Sequence, residues 1–201
     1  LAVVYLLAIY FADKLGNLTE EEYAYTVAQL QILPEKIAEI LSDKEHIQYL
    51  ASQFFNVKDV FFIGRNLDYA MSLEGSLKLK EISYIHSDAY AAGELKHGTI
   101  SLVEEGTLVI ALATQQLLFD KMMSNVKEVK ARGAVVLGLT TQKNTKIEQV
   151  TDHALYIPEI CDIMLPSLAV IPLQLFAYYV ASMKGCDIDK PRNLAKSVTV
   201  E

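Results

Sequence analysis

The sequence has 201 residues and a formal net charge of −7, and 52% of its residues are hydrophobic. This length suits one ordinary domain, or one domain with a flanking piece, and the apolar content allows a sizeable core. The acidic balance argues against nucleic acid or an anionic membrane surface as the main partner, although a local site could still bind a phosphate. The two cysteines, Cys161 and Cys186, lack metal-ligand spacing, so we expect reduced thiols in a cytoplasmic protein.

The first fifty-odd residues carry helix signals and no strand signal. A helix over 1–15 precedes a second helix that Thr19 caps. We expect this second helix to end near Pro34, where a further short helix would begin. A fourth helix follows Ser42 and continues to about residue 55. Because the chain opens on Leu1 in what looks like the middle of a helix, we expect a piece of a longer protein.

Beyond residue 56 the pattern alternates between strand and helix. Short apolar runs predict strands at 59–63, 84–89, 107–113, 134–140 and 154–157. Helical patterns occupy 67–82, 93–103, 117–132 and 163–184. Such alternation implies right-handed crossovers and a parallel sheet that is covered by helices on both faces.

The segment 163–183 carries no charge and is long enough to span a membrane. It also contains Pro166, Pro172 and several polar residues. We therefore interpret it as a buried core helix and expect no membrane association.

In parallel sheets of this kind, ligands bind at the carboxyl ends of the strands. Arg65 lies in the loop after the first strand, where it could hold an anion or could belong to an ordinary turn. His97 follows the second strand and is a candidate acid or base, although an unpartnered histidine is more often a surface residue.

Two further groups are ambiguous on spacing alone. Lys78 and Glu81 lie three residues apart on one helix face, which also describes a solvated charge stripe. Lys196 lies in a polar C-terminal tail, where it could close over a site as a nucleophilic amine or could be a surface lysine.

Together these residues lie in strings that resemble a known family. The string GRNLDYAMSLEGSLKLKEISYIHSDAYAAGELKHGTISL resembles the second sugar-isomerase (SIS) subdomain of the glucosamine-6-phosphate synthase family, and so does the ending GCDIDKPRNLAKSVTVE. The resemblance covers essentially the whole chain. It implies a flavodoxin-like SIS domain with its tail over 51–201, preceded over 1–50 by the last helix of the first SIS subdomain and a helical connector.

The resemblance also implies an activity, that of a glutamine–fructose-6-phosphate transaminase (isomerizing). Such enzymes convert fructose 6-phosphate and glutamine into glucosamine 6-phosphate and glutamate, without metal or cofactor, in the cytoplasm. An N-terminal glutaminase domain supplies ammonia through an internal channel, and a loop of the first SIS subdomain binds the phosphate. Neither part is recognisable in this chain, so we expect little or no turnover from it alone.

Family roles carry over to matching positions. Glu81 matches the base that moves a proton between sugar C1 and C2, and Lys78 matches the lysine beside it. We hypothesise that the charge of Lys78 orients Glu81 and tunes its basicity. His97 matches the ring-opening histidine, which in the family reaches the site of a neighbouring subunit, so the resemblance implies a homodimer.

The tail and the first loop carry the remaining roles. Lys196 matches the lysine that forms a Schiff base with the open-chain ketose, Ala195 a backbone contact to the sugar, and Val198 the lining of the ammonia path. Arg65 matches the arginine of the family's Gly-Arg-Gly turn, and the resemblance implies that it binds substrate. This chain has Asn66 where the family usually has glycine, and asparagine tolerates left-handed backbone angles better than most residues.

Two other functions remain open from the sequence. A non-catalytic SIS module that binds a sugar phosphate would not need Glu81, His97 and Lys196 together. Another SIS isomerase or deglycase would use no ammonia, and the ending PRNLAKSVTVE argues against it. A purely helical interaction domain would not explain the strand–helix alternation.

Overall fold

The computed structural model describes residues 1–194 of the chain. Its N-terminal part is helical, with α1 at Ala2–Lys14, α2 at Glu20–Ser42 and α3 at Lys44–Phe54. Thr19 and Glu22 form a reciprocal capping box at the start of α2, which satisfies two backbone N–H groups that the helix leaves open.

The predicted break at Pro34 is wrong, because α2 runs through this residue without interruption. A proline inside a helix removes one hydrogen bond and crowds the preceding turn, at a cost of about 3 kcal/mol. Leu33 and Ile40, on either side of Pro34, are both buried in the main core. Burial of this apolar stripe offsets the local cost, which a sequence rule cannot weigh.

Within the described residues, five parallel strands form one sheet, in the order β2-β1-β3-β4-β5. The strands are β1 at Asp59–Gly64, β2 at His86–Ala91, β3 at Leu108–Ala113, β4 at Val135–Thr141 and β5 at His153–Ile157. This strand order is that of the flavodoxin-like doubly wound sheet, so the predicted fold class is confirmed. Strand β2 starts two residues later than predicted because Tyr84 ends the preceding helix in a left-handed conformation.

The remaining α-helices of the described region are α4 at Leu67–Ser83, α5 at Phe119–Lys130 and α6 at Leu165–Met183. The segment expected to be one short helix over 93–103 instead forms two 3-10 turns, at Leu95–His97 and Thr99–Leu102.

Alternate residues of β1 point into two separate cores. Val60 and Phe62 pack on the face covered by α3, α4 and α6. Phe61 and Ile63 pack on the other face, against α5 and the segment that joins β2 to β3. The sheet therefore separates these two sets of covering elements, and this separation decides which candidate residues can meet.

Residues Asp162–Met183 form a helical stretch that is long and apolar enough to cross a membrane by length and composition alone. In the fold, 61% of its most apolar window is buried. It packs mainly against α4 and α3. This burial supports the interpretation of the stretch as a core helix.

Helix α4 approaches β1 closely at two glycines. A Cβ atom on Gly64 would lie 2.5 Å from the backbone carbonyl oxygen of Asp68, in the first turn of α4. A Cβ atom on Gly75, in the middle of α4, would lie 2.9 Å from side-chain atoms of Phe62 and Leu173. The first obstacle is backbone that cannot move aside, whereas the second consists of the ends of two side chains.

We expect Gly64→Ala to lower the free energy of unfolding by about 2–4 kcal/mol, because the new methyl group must displace the start of α4. Gly75→Ala is the matched control and should cost only about 1 kcal/mol, since side chains can yield and alanine favours a helix. Urea denaturation followed by circular dichroism measures both. Equal stability of the two variants would contradict the close approach of Gly64 to the backbone of Asp68.

Candidate functional site

Helix α4 carries candidate residues toward opposite ends of the sheet. It begins just after the carboxyl end of β1 and ends just before the amino end of β2. The fourteen-residue step from Leu67 to Glu81 corresponds to about 21 Å along the helix axis. Arg65 therefore lies at the carboxyl edge of the sheet, where we expected ligands to bind, while Lys78 and Glu81 lie toward the amino edge.

Lys78 and Glu81 form a close ion pair, with 2.7 Å between Nζ of Lys78 and Oε2 of Glu81. Glu74, one turn earlier, lies 3.9 Å from the same ammonium. The hydrogen bond to Glu81 raises the pKa of Lys78, against the opposing effect of partial burial. Lys78 is consequently a fixed positive charge beside the Glu81 carboxylate at neutral pH, as an orienting role requires.

The described end of the C-terminal tail borders Glu81. A cleft of about 470 Å³ is lined by Leu77, Lys80, Glu81 and Tyr84 of the α4 region and by Arg192, Asn193 and Leu194 of the tail. We call this the α4–tail cleft. Ala195, Lys196 and Val198 lie outside the described residues, but they follow directly on Leu194, which lines the cleft.

His97 is not brought near Glu81 within one copy of the chain. Its side chain is 63% exposed, and its nearest acidic partner is Glu94 at 3.9 Å. The neighbouring Leu95 is buried in the core on one face of the sheet, whereas Leu79 of α4 is buried in the core on the other face. The sheet thus separates the imidazole from the carboxylate.

Arg65 takes part in a polar network at the carboxyl edge. Its Nε donates to Oδ1 of Asn125 at 3.0 Å, and its backbone carbonyl accepts from Nε2 of Gln115 at 3.2 Å. A Cβ atom on Gly93 would lie 3.1 Å from the guanidinium, so the arginine also fills the space beside the loop after β2. These contacts join three loops, which favours a structural role for Arg65 in this copy.

A second pair at this edge was not singled out from the sequence. Asp68 is only 2% exposed, and its carboxylate accepts hydrogen bonds from the backbone N–H and the hydroxyl of Thr114. Burial raises the pKa of Asp68, while the bonds from Thr114 oppose that rise. The pair fixes the first turn of α4 to the end of β3, and an acidic residue in a first helical turn was the only local signal for it.

Tyr84 and Arg192 form another contact that sequence reasoning missed. The backbone N–H of Arg192 donates to the Tyr84 hydroxyl at 2.9 Å, and the Arg192 guanidinium lies 4.1 Å from the centre of the tyrosine ring. Because 108 positions separate the two residues, no local pattern could reveal the pair.

Comparisons with known proteins show the family to which this fold belongs. The SIS domain family model matches residues 53–184. The glutamine–fructose-6-phosphate aminotransferases [isomerizing] of Caldanaerobacter subterraneus subsp. tengcongensis and Clostridium acetobutylicum are 59% and 55% identical, over 100% of this chain and 33% of each relative. The solved C-terminal domain of glucosamine-fructose-6-phosphate aminotransferase from Francisella tularensis has a TM-score of 0.87 and 34% identity, covering 92% of this chain and 52% of that one.

The chain belongs to the SIS domain family, since the matched span exceeds half of its length. Within that family it is similar, over all of its residues, to part of the isomerizing glutamine–fructose-6-phosphate aminotransferases, which confirms the resemblance seen in the sequence. The chain spans about one third of the length of these curated relatives. The division near residue 51 stays a prediction.

The turn at Asn66 offers a test of the departure from the family pattern. This residue has φ 52° and ψ −121°, a region that glycine adopts most easily, and its amide donates to Gln115 at 3.3 Å. We expect Asn66→Ala to lower the free energy of unfolding by about 1–2 kcal/mol, because it loses the hydrogen bond and keeps the strain. Asn66→Gly should stay within about 0.5 kcal/mol of the parent, since relief of strain offsets that loss. Thermal denaturation of both variants checks the ranking, and an Ala variant as stable as the Gly variant would contradict it.

Proposed function

We propose that this chain is the isomerase portion of an enzyme that makes glucosamine 6-phosphate from fructose 6-phosphate and glutamine-derived ammonia. The main support is the Lys78–Glu81 pair, with its 2.7 Å contact, in a cleft that the tail bearing Lys196 also lines. The relatives named above are aminotransferases of this kind. Glutamine hydrolysis and the binding of the sugar's phosphate are assigned to parts of the protein outside this chain.

The chemistry needs an amine first. The amine of Lys196 attacks C2 of the open-chain ketose, and loss of water forms an imine that acidifies the C–H bond at C1. Ammonia then displaces the lysine at C2, so the new amino group comes from ammonia and the lysine is returned unchanged. Lys196 follows Leu194 by two residues, which span at most about 7 Å of extended chain, so its amine can reach the α4–tail cleft.

Glu81 is the proposed proton carrier. A carboxylate can take the proton from C1 and return it to the adjacent C2, which converts the C2 imine into an amine and leaves an aldehyde at C1. Lys78 holds Oε2 of Glu81 at 2.7 Å, so the second oxygen, Oε1, is the one proposed to move the proton. Lys78 itself acts as a fixed positive charge that positions the carboxylate, and it exchanges no proton with the sugar.

His97 is proposed to serve the site of a second copy. The residue is exposed, and the sheet separates its segment from α4 within one copy. An exposed imidazole can open the sugar ring by moving a proton to the ring oxygen, provided that it reaches a neighbouring cleft. The active unit would then be a homodimer in the cytoplasm, and a single chain would hold an incomplete site.

The test of Glu81 uses the full-length protein that contains this chain. Glu81→Gln should lower the rate of glucosamine 6-phosphate formation by roughly 10³-fold, because the amide cannot carry the proton, while affinity for fructose 6-phosphate changes only a few-fold. Glu45→Gln is the matched control, because this exposed glutamate of α3 lies outside the cleft, and it should stay near the parental rate. An unchanged rate in Glu81→Gln, or a parent protein that binds the sugar phosphate without forming product, would contradict the proposal.

A mixed dimer tests the role of His97. We expect co-expressed Glu81→Gln and His97→Ala chains to regain roughly one quarter of parental activity, because half of the dimers are mixed and each mixed dimer holds one complete site. Each variant alone should form almost no product. If both residues acted within one copy, no activity would return on mixing, and product assays on tagged, co-purified dimers distinguish the two cases.

A further inference from the structure

Tyr84 adopts a backbone conformation that is unfavourable for tyrosine. It ends α4 with φ 60° and ψ 16°, in the left-handed region, where glycine or asparagine usually stands at the end of a helix. It stands three positions after Glu81. A strained residue so close to a candidate catalytic group calls for a compensating contact.

The compensating contact is with the tail. The Tyr84 hydroxyl accepts from the backbone N–H of Arg192 at 2.9 Å, and the Arg192 guanidinium lies 4.1 Å from the centre of the ring. Directly after Arg192, Asn193 has φ 62°, so the chain turns at this point. Both contacts thus act on the last described residues before Lys196.

The tail approaches this point along the end of α4. After α6 ends, Gly185 turns the chain with φ 68°, and Sγ of Cys186 lies 3.9 Å from the carbonyl oxygen of Ser83. An Asp187 side chain then accepts from the backbone N–H of Lys190 at 2.9 Å, which closes a local turn. The tail is therefore attached at Ser83 and again at Tyr84, and beyond Tyr84 it lines the cleft beside Glu81.

We propose that Tyr84 is a positioning residue that holds the tail so that the amine of Lys196 is presented to the α4–tail cleft. This inference rests on the proposed function, since the contact affects catalysis only if Lys196 forms the imine with the sugar. Tyr84 also lines the cleft, but its hydroxyl and ring both contact Arg192, so the role assigned to it acts through the tail and not on the reacting atoms. It raises the fraction of time that the tail spends in the productive position, which acts on the rate rather than on the fold.

A helix-ending role and a positioning role predict different values of kcat for the Tyr84→Gly variant. Tyr84→Gly relieves the left-handed strain and removes both tail contacts, so the melting temperature should be unchanged or higher. If Tyr84 positions the tail, kcat should nevertheless fall roughly 50-fold, with KM for fructose 6-phosphate changed less than about three-fold. If Tyr84 only ends the helix, kcat should be retained.

Graded variants separate the two contacts. Tyr84→Phe keeps the ring and loses the hydroxyl acceptor, so a loss in kcat of roughly 5-fold is expected. Arg192→Gln keeps the backbone donor and loses the guanidinium, with a similar loss. Tyr90→Phe is the matched control, because it removes a half-buried tyrosine hydroxyl that lies 3.3 Å from Asp88 and away from the tail, and it should keep parental kcat.

The experiment uses the full-length protein, with kcat, KM and borohydride trapping of fructose 6-phosphate on Lys196, followed by mass spectrometry. Amide hydrogen exchange over 186–201 reports the tail directly and should speed up at least ten-fold in Tyr84→Gly. A parent protein that forms no glucosamine 6-phosphate contradicts the proposed function. Normal kcat, normal trapping and slow tail exchange in a folded Tyr84→Gly variant contradict only this inference.

Discussion

Close contact between α4 and β1, made possible by glycine at positions 64 and 75, fixes the geometry of the whole candidate site. A Cβ atom at either position would lie 2.9 Å or less from a neighbouring atom, and at Gly64 the neighbours are backbone atoms, so a side chain there would push the start of the helix away from the sheet. The Asp68–Thr114 pair then holds one end of the helix against β3. Because a helix is stiff, this anchoring also determines where Lys78, Glu81 and Tyr84 lie about 20 Å away.

This anchoring explains why Glu81 and His97, two of the residues proposed to be catalytic, do not meet within one copy of the described chain. Glu81, the proposed proton carrier, and the described part of the tail share the face that α4 covers, while His97 belongs to a segment on the other face of the sheet. Two groups on opposite faces of a hydrogen-bonded sheet cannot converge by small side-chain movements. A site that uses both must be assembled from two copies, so the oligomeric state would be part of the chemistry and not only of stability.

Much of the fold was predictable because it depends on local periodicity. The strand–helix alternation gave the parallel sheet, and the i, i+3 spacing placed Lys78 beside Glu81. The failures have different causes: burial around Pro34 keeps α2 continuous, and the left-handed Tyr84 that ends α4 delays the start of β2. Residue pairs 46 to 108 positions apart decide the rest of the site, and spacing cannot show them. The catalytic roles themselves came from resemblance, since the same residues on spacing alone describe an ordinary charged surface.

The position of Arg65 limits what its role can be. The resemblance assigned it to substrate binding, yet it lies at the carboxyl edge, where it joins the loops after β1 and β2 to α5. A hexose phosphate held at Glu81 is shorter than the stretch of α4 that separates the two residues, so it cannot touch both within one copy. Arg65 therefore helps to hold the loop before α4 in place, and under the proposed function it would act on Glu81 only through that helix. Direct contact with substrate would require a ligand bound at the edge itself or the site of a second copy.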